Sequence, residues 1–276
     1  MKHSIKKPLI LVTNDDGINA PGIRTLIRIM RTLGDVVVVA PDRPRSAQSH
    51  SITVSQPLRL KLIEEAEGYR EFSCNGTPVD CVKLGTKIVL RGNPDLLVSG
   101  INHGSNASIN VLYSGTMAAV IEGSIDIIPS IGFSLNDYSA KAIFEHAEEH
   151  IRQIALQVLE RGLPNGVSLN VNIPKISEEP IKGALVCRQA RGTWVEEFDE
   201  RIDPRGQDYY WITGVFSNAD NDEGTDIRAM ENNYIAVVPT QFDFTAANSM
   251  KLIGEFDFEP KKVNNKQHQP VRSING

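Results

Sequence analysis

The chain has 276 residues, 41% hydrophobic and 23% charged, with a formal net charge of −5 at pH 7. That length suits one large α/β domain, or such a domain with a smaller appendage. There is no basic excess to draw in a nucleic-acid duplex and no apolar run near the roughly 20 residues of a membrane span, so a cytoplasmic protein binding neither is expected.

Leu9-Ile10-Leu11-Val12 is a continuous apolar run, as in a parallel strand covered on both faces. Ile23, Leu26, Ile27, Met30 and Leu33 then recur at helical spacing, with Asn19 as cap, Pro21 in the first turn and Gly34 at the end. Val36 to Val39 is the second strand. Leu58, Leu60 and Leu62 alternate with polar residues and, with Arg70 to Cys74 beyond Gly68, read as an antiparallel excursion. Thr77, with Asp80 three residues on, marks a capped helix start. Leu96 to Val98 forms a strand ending in Ser99-Gly100, and a helix starts near Ser114 and runs through Met117, Val120 and Ile121. Ile131 to Phe133 is another strand. Ile143, Ala147, Ile151, Ile154 and Val158 make a helical stripe closed by Gly162, and Val167 to Val171 is the next strand.

This alternation predicts an α/β fold with a doubly wound, mainly parallel sheet over residues 1–176. From 177 to 233 the chain becomes rich in Glu, Asp, Gly and Asn, with aromatic islands at Trp194 and Tyr209-Tyr210-Trp211. That stretch reads as an extended arm that packs against a partner subunit. Ile235 to Val238 returns to strand character, so 177–260 holds the arm and the last elements, and 261–276 is a polar tail. Three cysteines, Cys74, Cys81 and Cys187, fit neither a disulfide framework nor a zinc site.

Ligands of open parallel sheets bind beyond the carboxyl ends of the strands. After the first strand comes Asn14-Asp15-Asp16-Gly17. Two adjacent carboxylates there suit a hard divalent cation such as Mg²⁺ or Mn²⁺; the plainer reading is a solvated loop with one Asp capping a helix. After the second strand, Ser46 offers a hydroxyl to a metal, and Arg43 and Arg45 could attract phosphate, unless the segment is a polar surface loop. After the third, Asn102 to Asn106 leads to Ser114-Gly115-Thr116, where a helix start and two hydroxyls form a phosphate cradle or an ordinary N-cap. Three strand ends together describe a metal held by carboxylates and neutral oxygens beside an anion site.

At these residues the sequence resembles the SurE family of survival-protein 5′-nucleotidases. The resemblance runs through LILVTNDDGINAPGI (9–23), VVVVAPDRPRSAQSHSIT (36–53), NGTPVDCVKLG (75–85), PDLLVSGINHGSN (94–106) and YSGTMAAVIEG (113–123). It continues more weakly through DPRGQDYYWITG (203–214), TDIRAM (225–230) and VVPTQFDFTA (237–246). It implies a Rossmann-like fold, a homodimer or homotetramer, and hydrolysis of nucleoside 5′-monophosphates with one divalent cation per subunit. The family's metal ligands fall on Asp15, Asp16, Ser46 and Asn102, and its phosphate contacts on Asn106, Ser114, Gly115 and Thr116, with Arg45 nearby. The Asn14–Asp16 turn would then carry the catalytic groups. Ser49 and Val238-Pro239-Thr240 depart from the family's pattern, which leaves the preferred base open.

Other readings compete. His146-Ala147-Glu148-Glu149-His150 matches a zinc-protease pattern, but it flanks the apolar stripe of a helix. His103, beside Asn102, is the better site candidate among the histidines. Trp194 and Tyr209 to Trp211 suit base stacking or oligomer packing. A noncatalytic, metal-dependent nucleotide-binding protein remains the alternative function.

Overall fold

The computed structural model describes residues 7–139, 141–175 and 178–259; the polar tail at 261–276 and the boundary at 176–177 lie outside them. The apolar runs become strands in chain order. They are β1 (Leu9–Thr13), β2 (Asp35–Pro41), β3 (Leu60–Ala66), β4 (Tyr69–Cys74), β5 (Leu96–His103), β6 (Ser130–Leu135) and β7 (Val167–Ile173). Later come β8 (Ala184–Val186), a hairpin of β9 (Thr193–Ile202) and β10 (Asp208–Ser217), and β11 (Ile235–Gln241). Between them lie α1 (Pro21–Met30), α2 (Pro78–Leu84), α3 (Gly115–Ile125), α4 (Glu148–Arg161) and α5 (Asp226–Glu231).

The main sheet has nine strands in the order β3-β4-β2-β1-β5-β6-β7-β11-β8. From β4 through β7 all neighbours are parallel. β3 pairs antiparallel with β4, β11 antiparallel with β7, and β8 parallel with β11. The chain leaves β1 toward β2 on one side and later enters β5 on the other. The carboxyl ends of β1 and β5 therefore flank the crevice where strand order reverses, the usual place for a ligand in such a sheet.

Alternation along β1 builds a core on each face. Ile10 and Val12 pack with Ile23 and Leu26 of α1 and Ile151 and Ala155 of α4. Leu11 packs on the opposite face with Val37, Val39, Cys81 of α2 and Ala119 of α3. Cys74, Cys81 and Cys187 are free thiols. An ion pair with a buried carboxylate ties α1 to β4: Arg24 donates to Glu71 at 2.9 and 2.6 Å, and the Tyr69 hydroxyl donates to the same carboxylate. Burial alone would raise the Glu71 carboxyl, but these hydrogen bonds outweigh it and hold it low.

Several boundaries differ from the sequence expectation, each for a local reason. The α1 cap is Ala20, not Asn19, because a residue before proline is driven to extended geometry, here φ −65 and ψ 143. The expected Thr77–Asp80 capping box is present. β5 runs past Ser99-Gly100 to His103, with a register shift against β6 between Ser99 and Asn102. The bulge re-aims the end of the strand, so Asn102 sits on the sheet rather than in the loop. α4 begins only at Glu148, after a 3-10 turn at Glu145–Ala147, and Ile143 is exposed. His146 and His150 thus do not share one helix, and the His146 ring lies 3.4 Å from the Pro174 carbonyl. Among the described residues no helix is long and apolar enough to cross a membrane.

The chain divides into two compact units, one through Phe242 and one from Asp243. The second holds a 3-10 turn at Ala247–Ser249 and the short helix α6 (Met250–Ile253).

Candidate functional site

The acidic turn after β1 is held from several directions. Its own Asn14 side chain donates to the Gly17 carbonyl at 2.9 Å. Ile18 N–H donates to Pro41 O at 2.8 Å, and Arg24 Nε donates to Ile18 O at 2.8 Å. Gly17 has φ +94, and a Cβ there would fall 3.1 Å from the Arg43 backbone, so only glycine lets the turn and the β2 loop approach this closely.

That loop delivers Ser46. Arg45 N–H donates to Asp15 O at 2.7 Å, which places the exposed Ser46 one residue from a backbone contact with the turn. The Arg45 guanidinium itself donates to the Asn75 carbonyl, and its Nε is buried without a partner. One guanidinium nitrogen of Arg45 thus anchors the loop to Asn75.

The end of β5 brings Asn102 and His103 to the same place. Asn102 spends its Nδ2 on the carbonyls of Gly104 (2.9 Å) and His103 (3.3 Å), leaving its side-chain oxygen available. His103 N–H lies 3.3 Å from Asp16 Oδ2, and its ring Nδ1 lies 3.4 Å from the same oxygen. A T-shaped contact with Phe144, 5.0 Å between centroids, fixes the ring.

The N-terminus of α3 closes the crevice. Ser114 is the N-cap and accepts from Met117 N–H at 3.0 Å. Thr116 donates its hydroxyl to Asp15 Oδ1 at 2.5 Å. Gly115 lies against Asp15, where a Cβ would come within 2.7 Å of the Asp15 Cβ and 2.9 Å of Oδ2. The hydroxyls of Ser114 and Thr116 are thus engaged with the protein. The donors left in this cradle are the Ser114 O–H, whose oxygen only accepts from Met117, and the backbone N–H groups that any helix start leaves unpaired.

Asn106 is buried and fixed by residues that the motif reading did not include. Its Nδ2 donates to Ser134 Oγ at 2.8 Å, its N–H to Asn172 Oδ1 at 2.8 Å, and its carbonyl accepts from Asn170 Nδ2 at 2.9 Å. Asn172 Nδ2 in turn donates to Asn170 Oδ1 at 2.9 Å. The signal was present in Ser168, Asn170 and Asn172, polar residues at every second position of an interior strand, which must find partners when buried.

Asp15 is almost fully buried. Burial, and then the neighbouring Asp16 charge, push its carboxyl up to about 7 against the hydrogen bond from Thr116. Thr13 Oγ1, Asn14 Oδ1 and Ser99 Oγ are buried oxygens without a hydrogen-bond partner at the same strand ends. No group of three or more His, Cys, Asp or Glu side chains gathers among the described residues. What gathers instead is two carboxylates with neutral amide and hydroxyl oxygens. Such a donor set fits a hard divalent cation, whose charge the pair would balance.

The comparisons agree with this architecture. The family model described as "Survival protein SurE" matches residues 10–196. A protein of Flavobacterium psychrophilum named 5′-nucleotidase SurE is 56% identical over 254 residues, 92% of this chain and 99% of the relative. One of the same name from Christiangramia forsetii is 58% identical over 248 residues, covering 89% and 95% of the two chains. The crystal structure of the SurE protein from Aquifex aeolicus superimposes with a TM-score of 0.77 at 40% identity, covering 89% of this chain and 98% of that one. With the acidic turn, the bulged β5 and the α3 cradle converging at the switch point of the same fold, the chain belongs to the SurE family.

Proposed function

We propose that the protein is a divalent-metal-dependent phosphomonoesterase that hydrolyses nucleoside 5′-monophosphates to nucleoside and phosphate. The observation that carries this reading is that Asp15 lies under the N-terminus of α3 while Asp16, next to it, meets the His103 N–H at the end of β5, one residue beyond Asn102. Relatives named 5′-nucleotidase SurE match over nearly the whole chain.

Asp15, Asp16, Ser46 and Asn102 would hold one Mg²⁺ or Mn²⁺ per subunit. When bound, the cation supplies Lewis-acid charge for a phosphoryl oxygen and makes water a better nucleophile at neutral pH. The chain's own groups do the rest. The N–H groups of Gly115 and Thr116, with Asn106, hold the remaining phosphoryl oxygens where negative charge develops. The Asp15–Asp16 pair accepts the proton of the attacking water. Thr116 fixes the Asp15 rotamer, and His103 does the same for Asp16.

Phosphate release from AMP, GMP and p-nitrophenyl phosphate, each with Mg²⁺, Mn²⁺ or EDTA, tests the reading. Release that EDTA abolishes is expected. Metal-dependent nucleotide binding without release would favour a noncatalytic binder, and release in EDTA would remove the metal.

We further propose a homodimer or homotetramer assembled through the β9–β10 hairpin. This two-stranded ribbon is separate from the main sheet and exposes Phe198, Tyr210, Trp211, Ile212 and Val215, and an isolated ribbon of this kind gains stability from a packing partner. Light scattering at micromolar concentration should give a multiple of 30.4 kDa, and a mass equal to one chain would reject the assembly.

A further inference from the structure

Asp15 and Asp16 follow β1 directly and Asn102 lies on β5, but Ser46 sits in a long loop. Between Pro41, the end of β2, and Leu60, the start of β3, the chain forms neither helix nor strand. Loops of that length inside a compact domain are usually functional. Ser46 itself is exposed, and the backbone just beyond it is strained: Ala47 and Ser49 have φ of 58 and 50. Residues other than glycine keep such left-handed backbone only where surrounding contacts enforce it.

The enforcing contacts fall on α2, on α3 and on the turn before α3. Ser49 Oγ donates to Leu112 O at 2.7 Å in that turn. At the start of α2, Thr77 Oγ1 donates to Ser51 O at 2.8 Å, and Asp80 Oδ1 accepts from Thr53 N–H at 3.1 Å. His50 Nε2 lies 3.0 Å from Glu122 Oε2 on α3.

Glu122 is the member of this set that helix packing does not explain. It is buried on α3, the helix whose Ala119 packs with Cys81 and Val82 of α2. A buried carboxylate costs stability unless it is paired, and an apolar residue would join the two helices without that cost. Lys83 of α2 donates to Glu122 Oε1, which leaves Oε2 for His50. Burial alone would raise the Glu122 carboxyl, but the bonds from His50 and Lys83 outweigh it and hold it low. Charge-assisted hydrogen bonds of this kind are about twice as strong as neutral ones. The tie joins the loop that carries Ser46 to the helix whose first turn meets Asp15.

We propose that Glu122 is a positioning residue: by holding His50 it latches the Ser46 loop against α3 and so keeps the Ser46 hydroxyl beside the carboxylate pair. The proposal rests on the phosphomonoesterase reading above and adds to it a residue that touches neither cation nor substrate. Lys83 contacts the same carboxylate but belongs to α2, so it neutralises Glu122 without restraining the loop.

His50→Ala and Lys83→Gln separate the latch from plain helix packing, because each removes one partner of Glu122. The first readout uses trypsin in EDTA, following by mass spectrometry the fragment that ends at Arg45. His50→Ala should release it about tenfold faster, since cleavage tracks the population of the open loop. The second readout is the Mn²⁺ concentration for half-maximal AMP hydrolysis. His50→Ala should raise it about tenfold, with kcat at saturating Mn²⁺ changed by less than about threefold. Lys83→Gln should leave both readouts within about twofold of wild type, and His50→Gln, which keeps a donor at the Nε2 position, should recover part of both losses. Equal effects of His50→Ala and Lys83→Gln would overturn the latch. So would unchanged cleavage in His50→Ala, or faster cleavage with an unchanged Mn²⁺ requirement. Faster cleavage of His50→Ala, in a protein whose wild type hydrolyses no AMP with Mn²⁺, would keep the latch and reject the phosphatase.

Discussion

Asp15→Asn is expected to abolish turnover while making the metal-free protein more stable. Asp15 is the best-buried member of the carboxylate pair and receives the Thr116 hydroxyl at 2.5 Å. Losing its charge removes a cation ligand and half of the proton-accepting pair, so activity on AMP should fall by about a thousandfold or more. The stability effect has the opposite sign. Burial and then Asp16 raise the Asp15 carboxyl from 3.8 to about 7 in the folded state. A group raised in this way contributes its full stability below pH 3.8, and that contribution is lost as pH rises to 7. Above pH 7 the ionised carboxylate weakens the fold by at most about 4 kcal/mol, a burden the asparagine does not carry. Urea unfolding in EDTA should therefore show the variant ahead of the wild type at pH 8, with the gap closing toward pH 4. Near wild-type turnover with Mg²⁺ or Mn²⁺ would sink the role of Asp15, and a variant less stable than wild type at pH 8 would contradict the burial argument.

The second large effect is expected at a residue with no functional group. A Cβ on Gly115 would lie 2.7 Å from the Asp15 Cβ and 2.9 Å from its Oδ2. Asp15 cannot simply step back, because its carbonyl is held by Arg45 N–H and its carboxylate by Thr116. Gly115→Ala should displace the carboxylate and shift the start of α3 relative to it, and misplacement on that scale costs about a hundredfold in kcat/KM. Stability should change little, because alanine's roughly 1 kcal/mol helix advantage offsets part of the clash. Gly123, on the same helix, supplies the contrast: a Cβ there meets Ser130 and Leu97. Gly123→Ala should lower the urea midpoint and spare kcat/KM. Activity within twofold of wild type in Gly115→Ala would show that the α3–Asp15 contact does not position the site.

Much of this protein could be read along the chain. The apolar runs at Leu9, Val36, Leu96, Ile131 and Val167 became neighbouring parallel strands because a strand buried on both faces needs no polar alternation. Asp15, Asp16, Asn102 and the Ser114 helix start stood out because each follows a strand, where the fold opens to ligands. Helix and strand ends were less legible. Ala20 took the cap from Asn19 through the stereochemistry of Pro21, and a bulge carried β5 on to His103.

What the sequence determined by itself is the set of elements, their order, and the chemistry placed at each strand's end, since these depend on residues adjacent along the chain. The acidic turn, the Thr77–Asp80 capping box and the Ser114 helix start are all of this local kind. Tertiary structure alone decided which groups remain free. One nitrogen of Arg45 went to Asn75, Thr116 went to Asp15, and His103 came to Asp16. It also decided that Asn170 and Asn172 fix Asn106, and that Trp194 of the hairpin shares a cavity with Asn136. The reason is physical: a buried polar group takes the nearest partner in space, and that partner is set by packing between elements distant in sequence.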